Sequence, residues 1–116
     1  MELVALLSSG KGTWAQVAGL INRGEWDRII LVGDNYAKEF YSGKDVEFLT
    51  IDLEQPLKEL KEEFSNKLKP KISGIEVALS IASGSGKEHM ALISALIDMP
   101  VGIKFTALTK DGIIYF

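Results

Sequence analysis

With 116 residues, 47% hydrophobic and 25% charged, the chain has the size of a single domain over 1–116, enough to bury a core but too short for a second, separate effector domain. Lys+Arg 13 against Asp+Glu 16 gives a net charge of -3, which excludes a generally basic coat for double-stranded nucleic acid but not a small basic pocket. Cys 0 and His 1 exclude a disulfide framework, a thiolate nucleophile and a multi-histidine zinc site, so neither a metal nor another cofactor is expected.

No apolar run approaches the ~20 residues that span a membrane, and the apolar start lacks a basic leader and a cleavage site. The expectation is a soluble, cytoplasmic protein that does not enter the membrane. Leu3 to Leu7 is a continuous apolar run that reads as a buried strand, ended by Ser8-Ser9-Gly10. Thr13 followed by Gln16 predicts a capping box opening a helix with Val17, Leu20 and Ile21 on its apolar face, and Gly24 predicts a left-handed stop. Arg28 to Val32 reads as a second strand ended by Gly33-Asp34-Asn35, residues 36–41 as a short helix, and Val46 to Ile51 as a third strand.

Residues 54–68 carry Leu57, Leu60, Phe64 and Leu68 in one stripe among Lys and Glu, the pattern of a surface helix with Pro56 in its first turn and Pro70 beyond its end. Ile75 to Ala82 reads as a fourth strand. Ser83-Gly84-Ser85-Gly86 follows, and Ser85 with Glu88 predicts a second capping box opening a helix over 86–98. Gly102 to Leu108 is a fifth strand, Thr109 to Gly112 a hairpin turn, and Ile113 to Phe116 a sixth strand. Alternating strands and helices imply a parallel sheet covered on both faces, and the short last turn makes the final strand antiparallel. The expected fold is a three-layer, Rossmann-like α/β domain with a mostly parallel six-stranded sheet and a C-terminal antiparallel hairpin.

Two loops share one design. Ser8-Ser9-Gly10-Lys11-Gly12-Thr13 and Ser83-Gly84-Ser85-Gly86-Lys87 each join a buried strand to a helix start, with small residues, hydroxyls and one lysine. A helix start offers unpaired N–H groups and partial positive charge, glycines admit close approach, and lysine adds a full charge: the chemistry of an anion site. If the first and fourth strands are neighbours, both loops face one crevice at the sheet's C-terminal edge. The plain alternative is that these residues only make tight turns. Gly10-Lys11-Gly12-Thr13-Trp14-Ala15 also meets the dinucleotide pattern in its letters, with Asp34 about 20 residues on, although Lys11 and Trp14 crowd the turn. A P-loop is rejected, because Glu88 follows Lys87 where Ser or Thr is needed and Ile81 stands where Gly is needed.

The two loops, their order and the terminal hairpin resemble the CARF domain, the ligand-sensing Rossmann-like domain of CRISPR-associated proteins. That family's motif after the fourth strand is Asp or Asn, any residue, Ser or Thr, three more residues, then Lys or Arg. Ser83 and Lys87 match it, and Ile81 departs from it. The resemblance covers nearly the whole chain. It implies a homodimer that binds cyclic oligoadenylate across its two-fold axis, through Ser8 to Thr13 and Ser83 to Lys87. Some members of the family are ring nucleases that use the ribose 2′-OH as nucleophile. By that analogy Lys87 stabilises charge on the scissile phosphate, and Ser9 or Ser8 orients the hydroxyl or the phosphate.

Around these loops His89 is placed either as a general acid or adenine contact or as an ordinary helix residue. Asp34 and Asn35 are placed to meet a ribose or base, or to form an Asx-type turn. Trp14 suits stacking on a base, core packing or a dimer contact. Three classes stay open: a module that senses or sequesters the ligand, a slow ring nuclease, and a (di)nucleotide-binding domain of another kind.

Overall fold

In the computed structural model, residues 1–8, 13–40 and 46–116 are described. β1 (Glu2–Leu7) is buried along its whole length, as a continuous apolar run covered on both faces must be. It lies between β2 (Arg28–Gly33) and β4 (Glu76–Ser80), parallel to both, with Ala5 opposite Leu31 on one side and opposite Ser80 on the other. β3 (Val46–Thr50) flanks β2, and β5 (Gly102–Thr109) flanks β4, both in parallel. β6 (Gly112–Tyr115) pairs antiparallel with the second half of β5 across a turn in which Gly112 takes φ 114°. The order is β3-β2-β1-β4-β5-β6, so the chain reverses its direction of winding between β1 and β4. This is the three-layer, Rossmann-like α/β fold that the alternation of elements predicts.

Alternation along the strands divides the core. Val4, Leu6, Ile30, Val32, Val77 and Leu79 face α3 (Leu57–Leu68) and α4 (Gly86–Ile97). Leu3, Ala5, Leu7, Ile29, Leu31 and Ala78 face α1 (Trp14–Arg23) and α2 (Asn35–Phe40). Phe64, Leu60 and Leu68 are fully buried and hold α3 to the sheet. Among the described residues no helix is long and apolar enough to cross a membrane.

Four local expectations are corrected. Leu57 does not join the α3 stripe: it is the first residue of that helix, 40% exposed, and Pro56 stands at the cap, not inside the first turn. The fourth strand is shorter than Ile75 to Ala82, because Ile75 is 86% exposed and Ile81 lies beyond the last ladder pair. Gly24 is extended (φ -86°, ψ 159°), not left-handed; its N–H and the Trp26 indole N–H both donate to the Leu20 carbonyl and finish α1 without a left-handed residue. The capping box at Thr13 does not form. Thr13 makes no side-chain capping bond to α1, and Gln16 turns to β5, where its Nε2 donates to the Leu108 carbonyl at 2.9 Å and its Oε1 accepts from the Leu108 N–H. A two-point bond to a sheet backbone has displaced the local one.

Candidate functional site

Because β1 and β4 are adjacent and parallel, the segments after them leave the sheet side by side at its C-terminal edge. They are joined directly. The Ser8 N–H donates to Ser83 Oγ at 3.0 Å, across a sequence separation of 75 residues. Ser83 is fully buried and Ser8 8% exposed, so their bond is protected from water. Ser8 and Ser83, the first residues of the two loops paired in the sequence, thus meet at the switch point of the sheet, where ligands of open α/β folds bind. Ser9, Gly10, Lys11 and Gly12 lie outside the described residues.

The two helix starts, alike in sequence, differ in structure. At α4, Ser85 Oγ accepts from the Glu88 N–H at 3.3 Å and Glu88 Oε1 accepts from the Ser85 N–H at 3.0 Å, a complete capping box. Two of the donors that would greet an anion are therefore occupied, and a carboxylate stands beside them. At α1 there is no acidic residue in the first turn and no side-chain cap.

Gly84 makes the turn into α4 possible. Its φ of 107° is one that side chains rarely adopt, and an added Cβ would stand 2.5 Å from Leu6 Cδ2. Gly86 is different: an added Cβ there would meet open space, so packing does not require a glycine. Lys87 is exposed, and its Nζ donates to the Leu53 carbonyl at 3.3 Å, on the α3 side of α4. His89 Nε2 lies 2.8 Å from the Ser83 carbonyl; a carbonyl only accepts, so Nε2 carries the proton and is committed to holding the loop.

A chain of contacts extends from the paired serines toward β2. The Trp14 indole N–H donates to the Ser8 carbonyl at 2.9 Å, and its ring packs on Tyr36 with centroids 6.4 Å apart. Tyr36, with Asp34 and Asn35, borders a cleft of about 460 Å³ at the ends of β2 and β3. Asp34 Oδ1 accepts from the Ala37 N–H at 2.9 Å and so caps α2, which is the turn role open to it in sequence. The far wall brings Asp52, Glu54, Glu63 and Lys67, which sequence reading did not assign to a site. Their only sequence signal is position, after the third strand and along one side of α3.

Glu63 is the titratable group whose state is clearly set by its surroundings. Burial pushes its carboxyl up, but Lys67 at 3.0 Å, the Asp52 N–H at 3.1 Å and the Gln55 amide together outweigh that and hold it below the usual range. Among the described residues the cleft is thus anionic: Asp34, Asp52, Glu54 and Glu63 line it with one ammonium, Lys67. It disfavours a phosphate and suits hydrogen-bond donors such as ribose hydroxyls or an exocyclic amine. A second cleft, of about 490 Å³, lies at the opposite edge of the sheet. There Glu2 is 4% exposed and accepts from the Ser73 and Gly74 N–H groups, so it staples the β3–β4 connection to β1. Among the described residues no three His, Cys, Asp or Glu are grouped so as to hold a metal ion.

No protein-family model matches this chain, and no curated protein matches it.

Proposed function

We propose that this chain is a nucleotide-binding domain of CARF-like type, which as a homodimer takes a cyclic oligoadenylate at the C-terminal edge of its sheet. The observation that carries the reading is the Ser8–Ser83 bond, which fixes two Ser- and Gly-containing loops to one another at the switch point. Three further features support it. The first turn of α1 carries no acidic residue, which suits a phosphate. Gly86 leaves the surface beside Lys87 open without a packing reason. The anionic cleft beyond Trp14 and Tyr36 repels phosphates and favours the donor groups of a nucleoside, so a ligand with both parts has one orientation.

A second copy suits this geometry. Met90 and Ile97 stand exposed on α4, the helix that starts from the Ser83 loop, and Ile114, Tyr115 and Phe116 stand exposed on the edge strand β6 and just after it. A two-fold axis along α4 would cover the α4 residues and set two Ser83 loops side by side around one symmetric ring. The proposal stops at binding. Lys87 rests on the Leu53 carbonyl and His89 Nε2 is spent on the Ser83 carbonyl, so neither is committed to a scissile phosphate.

The test is thermal unfolding of the protein with cyclic oligoadenylates of several ring sizes, linear oligoadenylate and NAD(P), alongside light scattering for oligomeric state. A ring present at a hundredfold over its Kd stabilises by about 2.7 kcal/mol, a shift easily read. Stabilisation by a ring and not by the linear form, in a dimer, is the expected result. A preference for NAD(P) selects a (di)nucleotide-binding module of another kind, and no shift with any nucleotide overturns the reading.

A further inference from the structure

The two faces of the β5–β6 hairpin are filled unequally. On one face Leu108 and Ile113 pack into the core beneath α1. By alternation Ile114 then points to the other face, opposite Ala107. There Phe105 packs at the margin of the α3–α4 core, and the Phe116 N–H donates to the Phe105 carbonyl at 2.8 Å, which holds Phe116 beside it. The outer strip of this face is apolar and bare: Ile114 is 37% and Phe116 73% exposed.

α4 forms a wall along this floor. Its Lys87 reaches the Leu53 carbonyl and its Asp98 pairs with Lys61, so that flank of the helix looks to α3. Ala91, Leu92, Ala95 and Leu96 are buried beneath it. At about 100° per residue, Gly86 and Ile93 then fall on the flank toward β5 and β6, and Met90 and Ile97 on the outer crest. Gly86, Met90, Ile93 and Ile97 follow one another at the four-three-four spacing of a helix–helix seam, with no charge among them. Met90 and Ile97 are 58% and 66% exposed, and an added Cβ on Gly86 would meet open space. A helix seam without a partner thus stands beside a sheet strip without a helix.

One two-fold axis parallel to the strands satisfies both. It sets α4 of a second copy over the β5–β6 strip, at the ~8–10 Å usual between packed helices. It turns the crest residues Met90 and Ile97 down onto the strip, and brings Gly86 and Ile93 of the two helices face to face. The heights agree. Met90 lies about 6 Å down α4 from Gly86. Phe116 is level with Phe105, and so with Leu79, one residue below the end of β4. Such an axis keeps heights, so Met90 of each copy meets Ile114 and Phe116 of the other. The area is also sufficient. At roughly 200 Å² per large apolar side chain, Met90, Ile97, Ile114 and Phe116 leave on the order of 450 Å² bare. That matches the apolar share, a little over half, of the ~800 Å² each partner gives to a standard interface.

We propose that the step between α4 and the β5–β6 strip is the seat for α4 of a second copy, each copy filling the other's step, so that the dimer shares one helical layer between two sheets. The inference deepens the nucleotide reading above by locating its two-fold, and rests on that reading for any ring bound there; the contact itself needs no ligand. Both α4 starts then lie at the same edge of the assembly, about one helix diameter apart, with the small Gly86 of each at the axis.

The experiment is sedimentation equilibrium on wild type, Met90→Glu, Ile114→Lys and an equimolar mixture of the two variants, with and without cyclic oligoadenylate. Circular dichroism melts check that each variant folds, and Phe116→Lys replaces Ile114→Lys if the latter does not. The wild type is expected to be a dimer, and each variant alone to show half its mass. Mixing is expected to restore the dimer, because the new carboxylate of one copy meets the new ammonium of the other while the reciprocal contact keeps Met90 and Ile114. A wild type that stays monomeric under both conditions, or a mixture that does, overturns the inference. A dimer that behaves as expected while no oligoadenylate binds upholds the inference and removes the nucleotide reading. Binding of a ring by a dimer that both variants leave intact overturns the inference and leaves that reading standing.

Discussion

The Ser8 N–H and the Ser83 hydroxyl oxygen lie 3.0 Å apart in a buried setting, and they join the two strands between which the sheet changes direction. One side-chain oxygen thereby satisfies a backbone donor that the β1 ladder has left behind. The bond sets the spacing of the two loops on which the proposed function depends.

Replacing Ser83 with alanine leaves the buried Ser8 N–H without that acceptor. The expected loss is about 1–3 kcal/mol of unfolding free energy, the cost of an unsatisfied buried donor. Urea unfolding at constant m-value measures it. A loss below about 0.5 kcal/mol would mean that the loops hold their spacing by other means.

Ser85→Ala removes one arm of the α4 capping box and is expected to cost about 1 kcal/mol. Urea unfolding of the variant measures it, and a loss below about 0.3 kcal/mol would mean that the box adds nothing to α4.

Core and surface positions of α3 separate in the same way. Phe64→Ala empties a fully buried site against both α4 and the sheet and should cost about 3–5 kcal/mol. Leu57→Ala, at a position 40% exposed, should stay within about 0.5 kcal/mol. Chemical denaturation of the two variants decides whether Leu57 belongs to the stripe.

Glu63 gives a pH signature. Its folded pKa lies below the ordinary glutamate value because its charged form is held by Lys67, the Asp52 N–H and the Gln55 amide against the opposing effect of burial. A depressed carboxylate pKa contributes stability that is complete above the unfolded value, about 4.3, and is lost as pH falls through the lower folded value. Glu63→Gln should therefore flatten the acid limb of the stability curve and change little of its shape near neutrality. Tm measured from pH 2 to 7 for both proteins tests this, and an unchanged acid limb would place the titrating group elsewhere.

Where a single sequence was enough, the signal was local and unopposed. The run Leu3 to Leu7 could only be a strand covered on both sides, and Ser85 with Glu88 forms the box that their spacing predicts. The failures have a common cause. Thr13 and Gln16 carry the same spacing, yet Leu108, 92 residues away, offers Gln16 two backbone partners at once. Gly24 looks like a left-handed stop until Trp26 folds back on the same Leu20 carbonyl. The meeting of Ser8 and Ser83 could be anticipated only on the condition that the first and fourth strands are neighbours, which a doubly wound sheet permits without requiring it. Ser80 could not: in Ala78-Leu79-Ser80 it reads as one more strand residue, and the lack of a partner for its buried Oγ is a property of its folded surroundings.

The central place of β1 also sets the order in which the molecule can be completed. β2 follows it closely in the chain, but the strand on its other side and the serine that bolts to Ser8 arrive some 75 residues later. At ~5–20 residues per second, ribosomal synthesis leaves that apolar edge uncovered for roughly four to fifteen seconds. During that interval the nascent chain carries an open template for mispairing, and α4, which follows β4 in the chain, is not yet made to cover Val4 and Leu6. Arrival of β4 ends the exposure, and the last donor of that edge is then taken by Ser83.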